Sequence, residues 1–297
     1  MATPGNTTTD ALNDSLDRVV AAARIVREYE GCMPGLSDKV TLGVGTGLSW
    51  IEIALEKLSA QAVTETTVLD NAQQMQDTPL TITPTIAGVQ TFVTDRVAQR
   101  ISKNAFAQTG TLAQNAIQRK KDEDGLVVLD GATTSLCGAG NTLSSGHISA
   151  GVVQTTSNTT EGASPSSKMY CVLHGFQIKD IYDEVTAGIG TYVIPEGETA
   201  RVFSDGFKGS VAGAMVFEDG NISIDGNADA KGGVFSGGKG GAIILVQGRT
   251  LRTETRREPH IGGGGTSLWL YDEYAFGERS PGHWLYELYS DATAPTA

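Results

Sequence analysis

Residues 61–125 read QAVTETTVLDNAQQMQDTPLTITPTIAGVQTFVTDRVAQRISKNAFAQTGTLAQNAIQRKKDEDG, and the fold turns on what this stretch can and cannot bury. Its first third is rich in threonine, a residue that suits a pleated strand on either face. Gln61–Asn71 and Thr78–Ile86 read as two ribbons joined by the polar turn Asn71–Asp77. Among their apolar residues are Val63, Val68, Met75, Leu80 and Ile82, with Thr66 between them. A lone two-stranded hairpin is marginal in water. Pro79 and Pro84 cannot donate ladder hydrogen bonds, which marks an edge strand. The ribbon is therefore either a protected surface hairpin or an arm stabilised by docking on another copy of the chain.

The remainder reads as a long helical run from Val89 to Lys121. Val89, Val93, Val97 and Ile101 recur at steps of four, Phe92 and Phe106 lie alongside, and Leu112, Ala116 and Ile117 continue the stripe. Gly110 costs about 1 kcal/mol relative to Ala inside a helix, so a kink or break is expected there. Thr111 to Gln114 would cap a second helix starting at that point. Arg119, Lys120 and Lys121 suit the negative end of the helix dipole, and Gly125 is the expected stop.

Working outward, Leu12, Leu16, Val19, Val20, Ala23 and Val26 predict an amphipathic helix over Ala11–Glu30, ended by Gly31 and Pro34-Gly35. Ile51–Ala60 reads as a short helix. Beyond Leu126 the texture becomes small and glycine-rich, with a short helix from His147. A strand followed by a helix is expected over Met169–Val185, with Ile178, Ile181, Tyr182 and Val185 on one side of the helix. Ala242–Gln247 is a buried strand, and three further ribbons follow at Arg249–His260, Ser267–Arg279 and His283–Asp291.

The chain has 297 residues, enough for one large or two ordinary domains, and 37 of them are glycine, which implies many turns. A net charge of −12 argues against a general grip on nucleic acid, which needs clustered Lys and Arg. Three scattered cysteines give neither a zinc pattern nor a disulfide framework. No signal-peptide pattern or apolar run of about 20 residues is read, so a soluble protein made in the cytoplasm is expected, with no membrane contact.

Chemistry is hard to find. Gly233–Gly240 comes near a phosphate-binding loop, and a nucleotide-binding enzyme using it is the rival reading from another class. The Ser or Thr that should follow Lys239 is Gly240, and a strand stands where a helix is needed. Gly43–Gly47 lacks the context of a dinucleotide site. Asp225, Asn227 and Asp229 alternate as calcium ligands do, but Ala230 and Ser236 stand where Gly and Glu are required. The four histidines show no metal spacing. Arg249, Arg252, Arg256 and Arg257 interleave with Glu254 and Glu258, a pattern that favours inter-strand or inter-subunit ion pairs over a phosphate track. No catalytic, cofactor-binding or metal residue is assigned, and no enzyme is expected.

The succession of arm, ribbon, long helix with a basic and then acidic end, mixed α/β block and closing long strands resembles the major capsid proteins of tailed bacteriophages, of the Hong Kong ninety-seven type. Asp95–Gly125 is the segment most like that family. The resemblance implies an α+β fold with an N-terminal arm (1–45), an extended loop (46–86), a peripheral domain (87–128 and 242–280) and an axial domain (129–241 and 281–297). It implies inter-subunit contacts through the ribbon residues Val63, Thr66, Val68, Met75, Leu80 and Ile82. It implies a spine-helix core of Val93, Val97, Ile101, Leu112 and Ile117. Hexamers and pentamers of the chain would close an icosahedral head around double-stranded DNA, assembled in a bacterial cytoplasm with a separate scaffolding protein, a portal and a cement protein as partners. An encapsulin-like compartment and another virion component, such as a tail or decoration protein, share parts of this reading. Some members of the family weld their subunits by a Lys–Asn isopeptide bond. Residues 61–86 contain no Lys and residues 249–297 no Asn, so non-covalent contacts are expected here.

Overall fold

The computed structural model describes residues 6–7, 31–55, 58–60, 62–66, 74, 77–100, 105–157, 164–187, 209–261 and 263–296. The amphipathic helix expected over Ala11–Glu30, and Val68, Met75 and Ile101, lie outside these. In chain order the elements are β1 (Asn6–Thr7), α1 (Met33–Leu36), β2 (Asp38–Thr41), β3 (Trp50–Leu55), β4 (Asp77–Ile82) and β5 (Thr85–Thr94), then α2 (Asp95–Arg100) and α3 (Ala105–Asp130). After them come β6 (Ser135–Cys137), α4 (Ser145–Thr156), β7 (Met169–Leu173), α5 (Gly175–Ala187), β8 (Ser210–Val211) and β9 (Ala214–Glu218). The chain closes with β10 (Asp229–Ser236), β11 (Ile243–Glu258), β12 (Gly265–Glu278) and β13 (Leu285–Asp291).

The strands form a five-stranded sheet in the order β1-β5-β12-β11-β2, a six-stranded sheet in the order β6-β13-β10-β7-β9-β8, and the pair β3-β4. Helix α3 joins the two large sheets. At 26 residues it is about 39 Å long. Its buried stripe steps by four through Ala113, Ile117, Lys121, Gly125 and Leu129. The first two pack on Leu268 and Leu270 of the five-stranded sheet. Leu126 and Leu129 pack instead on Val172, Phe235 and Leu285 of the six-stranded sheet. The opposite face of that sheet is closed by Leu143, Ile148, Val152 and Ile181. Strand β12 answers α3 with a period of two, so Leu268, Leu270, Asp272 and Tyr274 all turn inward.

Several sequence expectations are corrected. Val89 and Val93 lie in β5 rather than in a helix. A four-residue step fits a strand as well as a helix, because four is also a multiple of two, and the β-branched residues around it favour the strand. Ile51–Leu55 is likewise a strand. Strand β4 pairs with β3, Trp50 opposite Ile82 and Leu55 opposite Asp77, so its partner is Trp50–Leu55, where the sequence reading had placed Gln61–Asn71. The two strands expected at Ala242–Gln247 and Arg249–His260 are one, β11 (Ile243–Glu258), with irregular register beside Gln247 and Arg249. Leu112 is exposed, because the inward position at that level is Ala113. The strand and helix over Met169–Ala187 and the helix after Ser144 stand as read.

Neither glycine of α3 interrupts it. The helix runs through Gly110 and Gly125 to Asp130, where Gly131 N–H bonds to the Val127 carbonyl at 3.0 Å. Gly125 is a packing position: a Cβ there would stand 2.8 Å from Met33 Cβ and 3.2 Å from the Phe276 ring. Met33 cannot retreat, since its N–H is held by Asp122 at 2.9 Å. Gly125→Ala is therefore expected to lose about 1–2 kcal/mol net, overpacking of about 3 kcal/mol outweighing a helix gain of about 1. An unchanged urea midpoint would contradict this.

Candidate functional site

Strands β3 and β4 form a ribbon with two unlike faces. Residues opposite one another in an antiparallel pair share a face, so Trp50 with Ile82 and Glu52 with Leu80 form one side. That side is covered: Ile82 is buried against Ile244 and Val246, with Val40, Leu42, Trp50 and Leu80 around it. Gly277 makes room, for a Cβ there would meet Ile82 Cδ1 at 2.3 Å. The root is fixed by Arg279. Its Nε and Nη2 donate to the two oxygens of Glu52 at 2.8 and 2.7 Å, and its Nη1 donates to Asp38 Oδ2 at 2.8 Å. Arg279→Met would leave both carboxylates without their cation. The expected result is a loss of about 2–3 kcal/mol at the root and faster hydrogen exchange across Trp50–Leu55; unchanged exchange there would refute the anchor.

The other face has no cover in the described chain. Ile51, Ile53 and Leu55 are 60, 57 and 64% exposed. Opposite them stand Thr81, Pro79 and Asp77. Val44, Leu48, Leu58, Val63 and Ile86 are also exposed, so among the described residues eight of the thirteen large exposed apolar side chains fall between residues 44 and 86. Isolated exposed apolar residues are ordinary, but a contiguous set marks an interaction surface. Of the ribbon residues singled out from sequence, Val63 and Thr66 are exposed in the segment between the strands, whereas Leu80 and Ile82 turn toward the chain's own core. Ile51, Ile53 and Leu55 were missed, although their strict alternation was the available signal. Of the residues assigned to the long helix, Val97 is buried in α2 and Ile117 in α3.

The arginines of β11 pair within the chain. Arg252 meets Glu254 at 3.4 Å and Arg256 meets Glu258 at 3.2 Å. Arg257 grips Asp95 at the start of α2, with Nη1 donating to Oδ1 at 2.7 Å. The phosphate-loop reading of Gly233–Gly240 is corrected. Residues 233–236 are buried strand, and the amides after them are already committed. Gly237 N–H bonds to Lys168 O and Gly238 N–H to Leu36 O, each at 2.9 Å. Gly240 N–H bonds to the carboxylate of Asp38 at 3.0 Å, which would itself repel phosphate. Asp225 builds its own loop, accepting from the N–H groups of Asn227 and Asp229 at 2.8 and 3.0 Å and from the Tyr289 hydroxyl at 3.0 Å. The backbone hydrogen bonds hold its carboxyl below the ordinary range. Among the described residues no three His, Cys, Asp or Glu gather as metal ligands, and no helix is long and apolar enough to cross a membrane.

No known family model and no curated protein matches the sequence. Solved structures do match. The capsid structure of the cyanophage P-SCSP1u aligns with a TM-score of 0.70 at 13% identity, over 99% of this chain and 97% of that one. The head structure of Helicobacter pylori bacteriophage KHP40 aligns at 0.69 with 10% identity, over 91 and 94%. The capsid of Ralstonia phage GP4 aligns at 0.68 with 12% identity, over 93 and 94%. The fold of this chain is thus the phage-capsid fold, over nearly its whole length.

Proposed function

We propose that a chain with this fold and an uncovered apolar ribbon is the structural subunit of an icosahedral phage head, and that its ribbon clasps a neighbouring copy. The observation that carries the reading is the face formed by Ile51, Ile53 and Leu55, which the subunit leaves in water although its other face is anchored by Arg279. Covering three such side chains gains about 5 kcal/mol before the losses of association. In a closed ring every subunit both gives and receives the contact, so modest interfaces become collectively strong.

In this reading the five-stranded sheet with α3 is the peripheral domain, and the six-stranded sheet is the axial domain around which hexamers and pentamers form. The role is structural, without catalysis. The negative net charge of −12 keeps double-stranded DNA from adhering to the wall. Assembly in a bacterial cytoplasm would use a separate scaffolding protein and a portal, and a cement protein would reinforce a shell that has no isopeptide weld. Expression of the chain with and without the companion proteins of its phage, followed by light scattering and negative-stain microscopy, tests this. Closed particles of uniform size support it, and a monomer that persists beside a scaffolding protein refutes it.

A further inference from the structure

The described chain resumes at Gly31, and its first turn is held by two acids from distant parts of the sequence. Met33 N–H donates to Asp122 Oδ1 at 2.9 Å, and Cys32 N–H donates to Asp219 Oδ2 at 3.0 Å. The Cys32 thiol donates to the same Asp219 oxygen at 3.3 Å. Asn221 ties the acids together, its side-chain amide donating to Asp122 Oδ2 and its backbone N–H to Asp219 Oδ1, each at 2.9 Å. Gly31 passes so close to the Asp122 carboxyl that no Cβ fits there. Both carboxyls are fully buried, and Asn221 bridges them.

No cation described here neutralises them. Lys121, next to Asp122 on α3, turns to Asp272 at 3.0 Å. His174 lies on the side of Glu218 and Asp219, but burial holds its imidazole toward the neutral form. Burial, with the charge of Asp219 beside it, also holds the Cys32 thiol protonated. Two buried like charges without a counter-ion are costly, and retaining one proton between them removes most of that cost.

We propose that Asp122 and Asp219 form a proton-dependent clamp on Cys32 and Met33, closed while the Asp122 carboxyl keeps its proton and loosened as the pH rises. The clamp does not depend on the shell-forming reading and is testable on the isolated chain. Burial pushes the Asp122 carboxyl from its ordinary 3.8 to about 7, with the Asp219 charge adding to the rise and hydrogen bonds from Asn221 and Met33 opposing it. The closed state therefore holds more protons than the open state between those two values. Opening becomes easier as pH rises through that window and levels off above it.

The test is hydrogen exchange at Cys32 and Met33 in the full chain, at about pH 5 and about pH 7.5, corrected for intrinsic amide rates, where protection is expected to fall at least about tenfold. Asp122→Asn supplies a neutral carboxamide in place of the protonated carboxyl, and its protection should change by less than about twofold. Asp219→Asn serves as the second neutral variant in case the first fails to fold. Val234 and Phe235 in β10 should keep their protection throughout. A flat profile in the parent chain, an equal fall in parent and variants, or simultaneous loss in β10 would each overturn the clamp.

Discussion

Ile51→Asp with Ile53→Asp is expected to abolish shell closure while leaving the free subunit folded. Neither side chain is covered by its own chain, so the double change should alter subunit stability by less than about 1 kcal/mol. In the assembled state both positions would sit beneath a neighbour. The variant would lose about 3 kcal/mol of apolar burial at each contact and would add two carboxylates to a drying surface. Repeated around every ring, that loss exceeds what the remaining contacts offset. The checks are circular dichroism for the subunit and sedimentation for the particle. Particles forming at the parent's yield would remove the ribbon face from the assembly mechanism.

The second large effect lies inside the subunit. Asp272→Ala is expected to cost about 3–5 kcal/mol, because it leaves Lys121 buried without its anion. Lys121 is 8% exposed and also donates to Gln247 Oε1. Its ammonium stands 4.8 Å from the centre of the Tyr274 ring, whose hydroxyl donates to Asp124 at 2.8 Å. Gln247 in turn donates to Asp272, so one deletion disturbs both partners of the lysine. Lys121→Met with Asp272→Leu replaces the pair by apolar groups of similar size and should recover most of the loss. Urea denaturation of the three chains checks this. A single variant as stable as the parent would mean that the pair contributes nothing to holding α3 on β12.

These two sites show how far the sequence could be read. The order of ribbon, long helix, mixed block and closing strands was legible because each piece carries its own local signal, and that order led to the right fold. Boundaries failed where one pattern serves two structures. The four-residue spacing of Val89 and Val93 fits a strand face equally well. Gly125 looked like punctuation because the residues that need its small size, Met33 and Phe276, are far away in sequence. Lys121 and Asp272 were hidden for a similar reason: a charge on an inward stripe looks like the end of the stripe until its partner is seen. The acid pair was beyond reach, since Asp122 is 89 residues from Met33 and Asp219 is 187 from Cys32. The exposed face of the ribbon, by contrast, was present in the alternation of Ile51, Ile53 and Leu55 and was misread as a helix.

In an assembled shell the apolar face of the ribbon should be covered by another copy of the chain. A cryo-microscopy reconstruction of assembled particles, at a resolution that shows side chains, tests it most directly. Closed shells are expected in which Ile51, Ile53 and Leu55 lie against an adjacent subunit, with the Arg279–Glu52 pair intact at the ribbon's root. Shells in which that face remains in solvent, or a chain that forms no shell with its phage companions present, would contradict it.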